Sequence, residues 1–341
     1  GCFQHMILLN SFVFWTELNA KYKTEKGMRH FFSLHDFITH ELFRHKRGIE
    51  SYSQYCRDIN IINPTILEPC LLNPAYLPTE DALSWWSNVV QKEDYLAFFQ
   101  LLLQECLLAH LISPQIAIAD GCFIHSWAGD FTKTKTNDIT DPDAGFCIHD
   151  KKIYGKGFMA IIYYAYCGQY LVPVYFDVFA GNKNENKEFG RHFEDFLAAC
   201  PWQWKFLLYD CGASSAANRR QIKAHHIHPI IPTKKNTKCE PILELANGKY
   251  FCEGDLPEGL SLNFVQRLLD IRARIEQQFS PCSFGWNMKA MNHMGLDQAI
   301  CHVAKYCCLQ LLTLLTAFKV NRADLIGHWT AFPPALRPTP L

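Results

Sequence analysis

The spacing of apolar residues changes character along the chain. Over residues 1–112 it is helical. Phe12 to Trp15, Phe31 to Phe43 and Tyr95 to Leu111 carry apolar residues at turns of a helix. Pro64, Pro69, Pro74 and Pro78 break the stretch between them into turns. From 115 onward short apolar runs predict strands. Ile116-Ala117-Ile118-Ala119 runs up to Asp120-Gly121, and Phe206-Leu207-Leu208-Tyr209 runs up to Asp210-Cys211-Gly212. Gly157 to Phe179 is rich in β-branched and aromatic residues and is interrupted at Cys167-Gly168-Gln169, which predicts a hairpin. Pro173 in its second arm points to an edge or a bulge.

A polar loop, Lys133 to Asp143, precedes that hairpin, and a loop from Ala180 to Asn184 follows it. Lys187 to Ala199 then reads as an amphipathic helix with Phe189, Phe193, Phe196 and Leu197 on one side. Beyond Asp210 the pattern predicts a helix over Ser215 to His225 and a short strand over Pro229 to Pro232. A small β insertion over 239–262 turns at Asn247-Gly248. Phe264, Leu268, Ile275 and Phe279 repeat at helical spacing, and 286–320 closes the core with further helix. The end after Phe332 is Pro-rich and reads as irregular. The order predicts an α/β fold: a mixed sheet with flanking helices, not a pure βαβ repeat.

Composition adds bounds. With 341 residues and 49% hydrophobic content, one large domain or two modest ones are expected. Lys+Arg and Asp+Glu are both 33, which leaves room for a local basic patch. The fifteen cysteines form no paired C-x-x-C frame and no signal peptide precedes them, so reduced intracellular thiols are expected. Cys307 to Phe318, between Lys305 and Lys319, is too short to cross a bilayer of about 30 Å, so no membrane partner is expected. The chain opens on Gly1, with its first Met at Met6, so the native start is expected to lie outside it.

An acid at the end of a buried strand costs free energy unless something pairs with it. Asp120 and Asp210 both stand there, and Glu276 lies on the later helix, four residues after Arg272. Two such Asp and a helical Glu are the donors a pair of hard divalent cations takes; an ordinary i,i+4 ion pair of Arg272 and Glu276 is the plainer alternative. Between Asp210 and Glu240 no acid occurs, while Arg219, Arg220, Lys223, Lys234, Lys235 and Lys238 do. That interval suits a polyanionic substrate, or else is a solvated basic face. Lys21 to Arg47 is also basic and either touches DNA phosphate or is a solvated helical face. His30, His35, His40 and His45 recur every five residues, turning about 140° each time on a helix, so they share no face and no metal site is expected. Asp141 and Asp143 are further acids, but Thr140-Asp141-Pro142-Asp143 reads as a cap or turn.

The joint order of several short pieces resembles the DDE transposases of bacterial insertion sequences. The pieces are Ala119-Asp120-Gly121, Thr140 to Ala144, Lys152-Ile153-Tyr154-Gly155-Lys156 and Ala180-Gly181-Asn182. Asp210-Cys211-Gly212, Ile231 to Lys235, and Arg272 with Arg274 to Phe279 complete them. The resemblance covers roughly Gln115 to Phe318. It implies a ribonuclease H-like mixed five-stranded sheet in a catalytic domain at 113–325, with the β insertion at about 239–262 before the catalytic helix. A helical region at 1–112, binding DNA, precedes it, and an irregular tail at 326–341 follows. The implied activity is metal-dependent DNA strand cleavage and strand transfer at transposon ends, by an endonuclease and strand transferase. Asp120, Asp210 and Glu276 would hold two Mg²⁺ or Mn²⁺ ions. Arg272, Lys234, Lys235, Arg219, Arg220, Lys238 and Lys156 would bind DNA carrying terminal inverted repeats. The resemblance further implies a homodimer on DNA, in the cytoplasm of a bacterium and associated with its nucleoid. The family's helix signature carries a Tyr and a Lys where this chain has Leu269 and Ser283, with Lys289 six residues beyond the latter. A catalytically inactive or domesticated DNA-binding derivative is the alternative.

Overall fold

The computed structural model describes residues 15, 22, 32–61, 77–126, 141–149, 152–235, 241–273, 275, 288–289, 291 and 293–328. Glu276, Lys238, Ser283 and most of the polar loop after Lys133 lie outside them. The chain divides into two units, one of residues 1–109, 281–288 and 300–341, the other of residues 110–280 and 289–299.

The first unit is helical over its described residues. It contains α1 (Leu34–Lys46), α2 (Tyr52–Ile61), α3 (Glu80–Val89) and α4 (Lys92–Leu108). Ser33 and Asp36 start α1 with a reciprocal capping box. Every residue of α1 is buried, polar ones included. The basic stretch therefore offers Arg44 and Lys46 neither to phosphate nor to solvent. Arg44 pairs with Glu41 at 2.8 Å, and Lys46 donates to Thr313 Oγ1 at 3.2 Å. His35, His40 and His45 point apart, as their spacing implies. His35 stacks on Trp15, His40 hydrogen-bonds the Tyr55 hydroxyl at 2.7 Å, and His45 lies 3.4 Å from Glu41.

The second unit is built on β1 (Ile116–His125), β2 (Gly145–His149), β3 (Lys152–Tyr166) and β4 (Leu171–Ala180). They are followed by α5 (Glu185–Ala199), β5 (Phe206–Leu208), α6 (Ala216–Ala224) and β6 (His228–Ile230). A hairpin of β7 (Ile242–Glu244) and β8 (Tyr250–Cys252) precedes α7 (Leu262–Ala273). The expected mixed core is present as β4-β3-β1-β5-β6, with β1, β3 and β4 antiparallel and β1, β5 and β6 parallel. The sheet has six strands rather than five, because β3 is long enough to pair β4 along one half and β2 along the other. β4 shifts register beside Pro173, so this proline sits at a bulge on an edge strand. The two predicted turns form at Gly168 (φ 79°) and Gly248 (φ 75°), where glycine tolerates the left-handed backbone.

β1 does not stop at Asp120. It continues to His125 because β3 goes on pairing with it as far as Gly157. Asp120 is thus inside a strand, whereas Asp210 lies just past the end of β5. α8 (Leu296–Lys319) completes the chain's regular structure with a short turn at Ala323–Leu325. Among the described residues α8 alone is long and apolar enough to cross a membrane, and 94% of that window is buried inside the protein. Its amino end is capped from afar. Asp141 Oδ2 accepts from the Gly295 N–H at 3.0 Å, and Asp143 Oδ2 from that of Leu296 at 3.1 Å. The Asp143 N–H in turn donates to Asp141 Oδ1, the turn read from Thr-Asp-Pro-Asp. Ten described cysteines are free thiols; Cys252 departs from the all-reduced expectation and is disulfide-bonded.

Candidate active site

The parallel register of β1 and β5 fixes the first two acids. Ile118 pairs Leu208, so the residues two further along, Asp120 and Asp210, reach the same level of the sheet. Each carboxylate is held by the glycine that follows. The Gly121 N–H donates to Asp120 Oδ1 at 3.1 Å, and the Gly212 N–H to Asp210 Oδ1 at 2.6 Å. Val265, Leu268 and Leu269 bury one side of α7, and Arg272, one turn on, comes to both acids. Its Nη2 lies 2.9 Å from Asp120 Oδ1 and 3.9 Å from Asp210 Oδ2. Leu269, at the position of the family tyrosine, is part of the apolar face. Glu276, the third predicted acid, falls outside the described residues.

A fourth acid stands here that the sequence reading left out. α5 begins at Glu185, two residues before the predicted start, with Asn184 as its cap. A Cβ built on Gly121 would come 3.5 Å from Glu185 Oε2, and one on Gly212 would come 3.6 Å from it. Glu185 lies against the buried Tyr209 hydroxyl, and Arg272 Nε is buried with no hydrogen-bond partner. The missed signal was Asn184 followed by acids at 185 and 188, the composition of a helix start.

Burial is the main electrostatic influence on these acids. It pushes Asp120 up to about 6, against the pull of Arg272 and with the help of the Asp210 charge. It pushes Glu185 up to about 7, opposed by the nearby Tyr209 hydroxyl and reinforced by Asp210 and Asp120. The site thus holds more negative charge than Arg272 offsets. Among the described residues no three His, Cys, Asp or Glu side chains stand at metal-binding separations as they are. The oxygen donors, the surplus charge and the orphaned Arg272 Nε, displaced from a full pairing with the aspartates, nonetheless suit a site that takes a hard divalent cation.

The predicted DNA contacts divide. Arg220, Lys234 and Lys235 are exposed. Arg219 is not available to DNA: it is buried, paired with Asp255, and donates to Ser214 Oγ and the Ile231 carbonyl at 2.9 Å each. Lys156 is likewise buried, its Nζ donating to the Asp141 carbonyl at 2.7 Å. Arg272 faces carboxylates rather than an open phosphate position. Arg219 and Lys156 thus spend donors on fixed acceptors inside the protein, and Arg272 Nη2 on Asp120. Lys238 lies outside the described residues.

Residues 129–312 match the family model described as "Transposase DDE domain". The matched stretch holds Glu185, Asp210, Arg272 and Glu276, and begins after Asp120. No curated protein matches the chain in sequence. Several solved structures are similar, three of them as follows. A cryo-EM structure of a piggyBac transposase synaptic complex with hairpin DNA has 9% identity and a TM-score of 0.46, over 98% of this chain and 82% of that one. A Mos1 transposase paired-end complex with left transposon end has 10% identity and a TM-score of 0.23, over 89% and 81%. A Drosophila P element transposase strand transfer complex has 12% identity and a TM-score of 0.30, over 92% and 64%. At such identities and TM-scores it is the sequence match that assigns the family.

Proposed function

This chain belongs to the transposase DDE-domain family, and we propose that Asp120 and Asp210, completed by Glu276, are the acids with which it cuts and joins transposon-end DNA. The observation that carries the reading is the level pairing of Asp120 with Asp210, with one guanidinium drawn to both. The family's chemistry generally uses divalent metal ions. Asp120, Asp210 and Glu276 would hold Mg²⁺ or Mn²⁺, as two ions. When bound, the metal would supply an activated attacking oxygen and stabilise the leaving one.

The residues of the chain do the positioning. The Gly121 and Gly212 N–H groups each hold one oxygen of their aspartate, which leaves the other oxygen for the cation these acids would hold. Arg272 fixes the separation of the two acids. Exposed Arg220, Lys234 and Lys235 would neutralise backbone phosphate of DNA bearing terminal inverted repeats. Two copies acting on paired ends, as a homodimer, complete the proposal.

Asp210→Asn is the test. It keeps the side-chain shape and removes the charge, so α7 and β5 should still pack. Strand nicking and transfer on the transposon's own ends with Mg²⁺ or Mn²⁺ should fall by orders of magnitude, while DNA retention persists. Equal nicking by variant and wild type would remove Asp210 from the site. No nicking by wild type on its own ends would favour the inactive DNA-binding derivative.

A further inference from the structure

Asp210 is held less by packing than Asp120 is. Its side chain is 36% exposed against 14% for Asp120. It stands past the end of β5, where the sheet no longer fixes the backbone. The turn that follows fixes it instead. Cys211–Ala213 form a single 3₁₀ turn, and the Gly212 N–H within it holds Asp210 Oδ1. Of these three residues Ala213 alone is buried, so little apolar packing bears on the turn.

Two neighbouring residues of α6 grip it. Asn218 Nδ2 donates to the Ala213 carbonyl at 3.0 Å and to Asn186 Oδ1 at the start of α5. Arg219 Nη2 donates to Ser214 Oγ and to the Ile231 carbonyl, just past β6, at 2.9 Å each. Its Nη1 pairs with Asp255 in the turn Glu253–Asp255 that follows β8. Lys223 Nζ, one turn further along α6, reaches the other oxygen of Asp255 at 2.7 Å. One guanidinium thus joins the Asp210 turn, the end of β6 and the segment leaving the β7–β8 hairpin. Arg219 and Asp255 are 7% and 5% exposed. A buried ion pair contributes little net stability over apolar residues of the same volume. Fastening the hairpin to α6 therefore does not by itself call for a guanidinium. Its planar fork does what an apolar contact cannot. With one arm on Asp255, the other is aimed at a hydroxyl and a carbonyl and sets their positions.

We propose that Arg219 is a positioning residue for Asp210. Through Ser214 Oγ it locks the 3₁₀ turn against the end of β6, and so keeps the Asp210 carboxylate level with Asp120. Asp255 supplies the charge that holds Arg219 in place, which makes the β7–β8 insertion part of the scaffold of the active site. The inference rests on the reading that Asp210 belongs to that site. In this role Arg219 touches no reacting atom.

The test compares Ser214→Ala, Ser214→Thr, the double variant Arg219→Met/Asp255→Leu and Asp210→Asn with wild type, as full chains. Thermal melts in EDTA report folding. The electron paramagnetic resonance of free Mn²⁺ gives its Kd without DNA, and nicking of the transposon's own ends gives kcat and KM. Ser214→Ala removes one acceptor and leaves the ion pair, so it should melt within a few degrees of wild type. Its kcat should fall about tenfold at unchanged KM, because a small misplacement of a reacting group is costly. Ser214→Thr keeps the hydroxyl and should restore kcat. The double variant replaces a buried pair by apolar residues of similar size and should melt close to wild type. Ser214 and Ile231 nonetheless lose their donor, so its kcat should fall by about tenfold or more and its Kd for Mn²⁺ should rise. A merely structural Arg219 gives the opposite result: wild-type kcat and Mn²⁺ Kd in the folded double variant would overturn the proposal. If the double variant does not fold, Ser214→Ala decides, and unchanged kcat and Kd in it would overturn the proposal. Equal nicking and equal Mn²⁺ affinity in Asp210→Asn would instead remove Asp210 from the site, and the inference with it.

Discussion

Glu41 in α1 and Asp120 in β1 are both acids withdrawn from water, and their surroundings treat them in opposite ways. Glu41 is 1% exposed and meets Arg44 and Lys305 at 2.8 Å each, with His45 at 3.4 Å. Burial alone would raise its pKa, but Arg44, then Lys305 and His45, hold it well below the usual carboxylate range. Asp120 has one guanidinium, shared with Asp210, and burial wins: its pKa is pushed up to about 6. Arg44 also donates to the carbonyls of Ile49 and Glu50, so it is fully used, whereas Arg272 Nε is orphaned. A closed ion network stabilises a fold. An open one with surplus charge is poised for a ligand.

Removing one charge from each site should break the symmetry of that comparison most sharply. Glu41→Gln leaves Arg44 and Lys305 as buried cations without a counter-charge and should destabilise by about 3–5 kcal/mol. Asp120→Asn removes a carboxylate whose folded pKa lies above its unfolded value, so at pH 7.5 without metal it should stabilise, by about 1–3 kcal/mol. Urea unfolding of both variants at pH 7.5 in EDTA measures the two signs. The same sign in both would mean that the sites are not electrostatically different.

Acid should separate the same groups. Burial lowers His35, His40 and His45 to about 3, as it does His192. Below pH 6.5 the unfolded chain takes up protons that these folded histidines refuse, so their contribution is present at pH 7 and lost as pH falls from about 6.5 toward 3. The slope is at most about 1.4 kcal/mol per pH unit for each histidine. Asp120 and Glu185 run the other way. Their folded pKa values are raised, so the metal-free protein gains from them as pH falls through about 7 to 5. His40→Gln retains a partner for the Tyr55 hydroxyl without the titration, and its stability should depend less steeply on pH between 6.5 and 5. An unchanged slope would show that His40 is protonated in the folded state.

These contrasts mark what could be read before the structure. Asp210 was legible because an apolar run stops abruptly at it, and the Gly168 and Gly248 turns carry local signatures. The Thr-Asp-Pro-Asp turn was legible too, but not its use, since Gly295 and Leu296 lie far along the chain. Strand β1 overran Asp120 because the length of β3, not local sequence, decides where pairing ends. α1 reads as a basic helix facing either DNA phosphate or solvent because Lys305 and Thr313, which satisfy its polar residues, are remote in sequence. Glu185 was missed by a two-residue error at a helix start, the least certain part of any element. Arg219 and Arg220 are neighbours of identical type, yet α6 buries one and exposes the other.

That last pair leads to the smallest expected effect. Lys234 and Lys235 are exposed beyond β6, and Lys235 Nζ sits 5.8 Å from the centre of the Tyr250 ring. Both side chains are exposed, so Lys234→Ala/Lys235→Ala should melt within a few degrees of wild type. If both lysines meet phosphate, log affinity against log salt should flatten by about 0.9 per lost contact, and weakening should be similar for all sequences. Arg219→Met should do the reverse. It breaks the pair with Asp255 and the bond to the Ile231 carbonyl, which lowers stability, but it should leave the salt slope unchanged. Filter binding to end and non-end DNA over a range of salt concentrations reads both. An unchanged slope in the lysine variant would assign that pair to a solvated face and move the DNA path elsewhere on this unit. A flattened slope in Arg219→Met would mean that α6 opens to meet DNA.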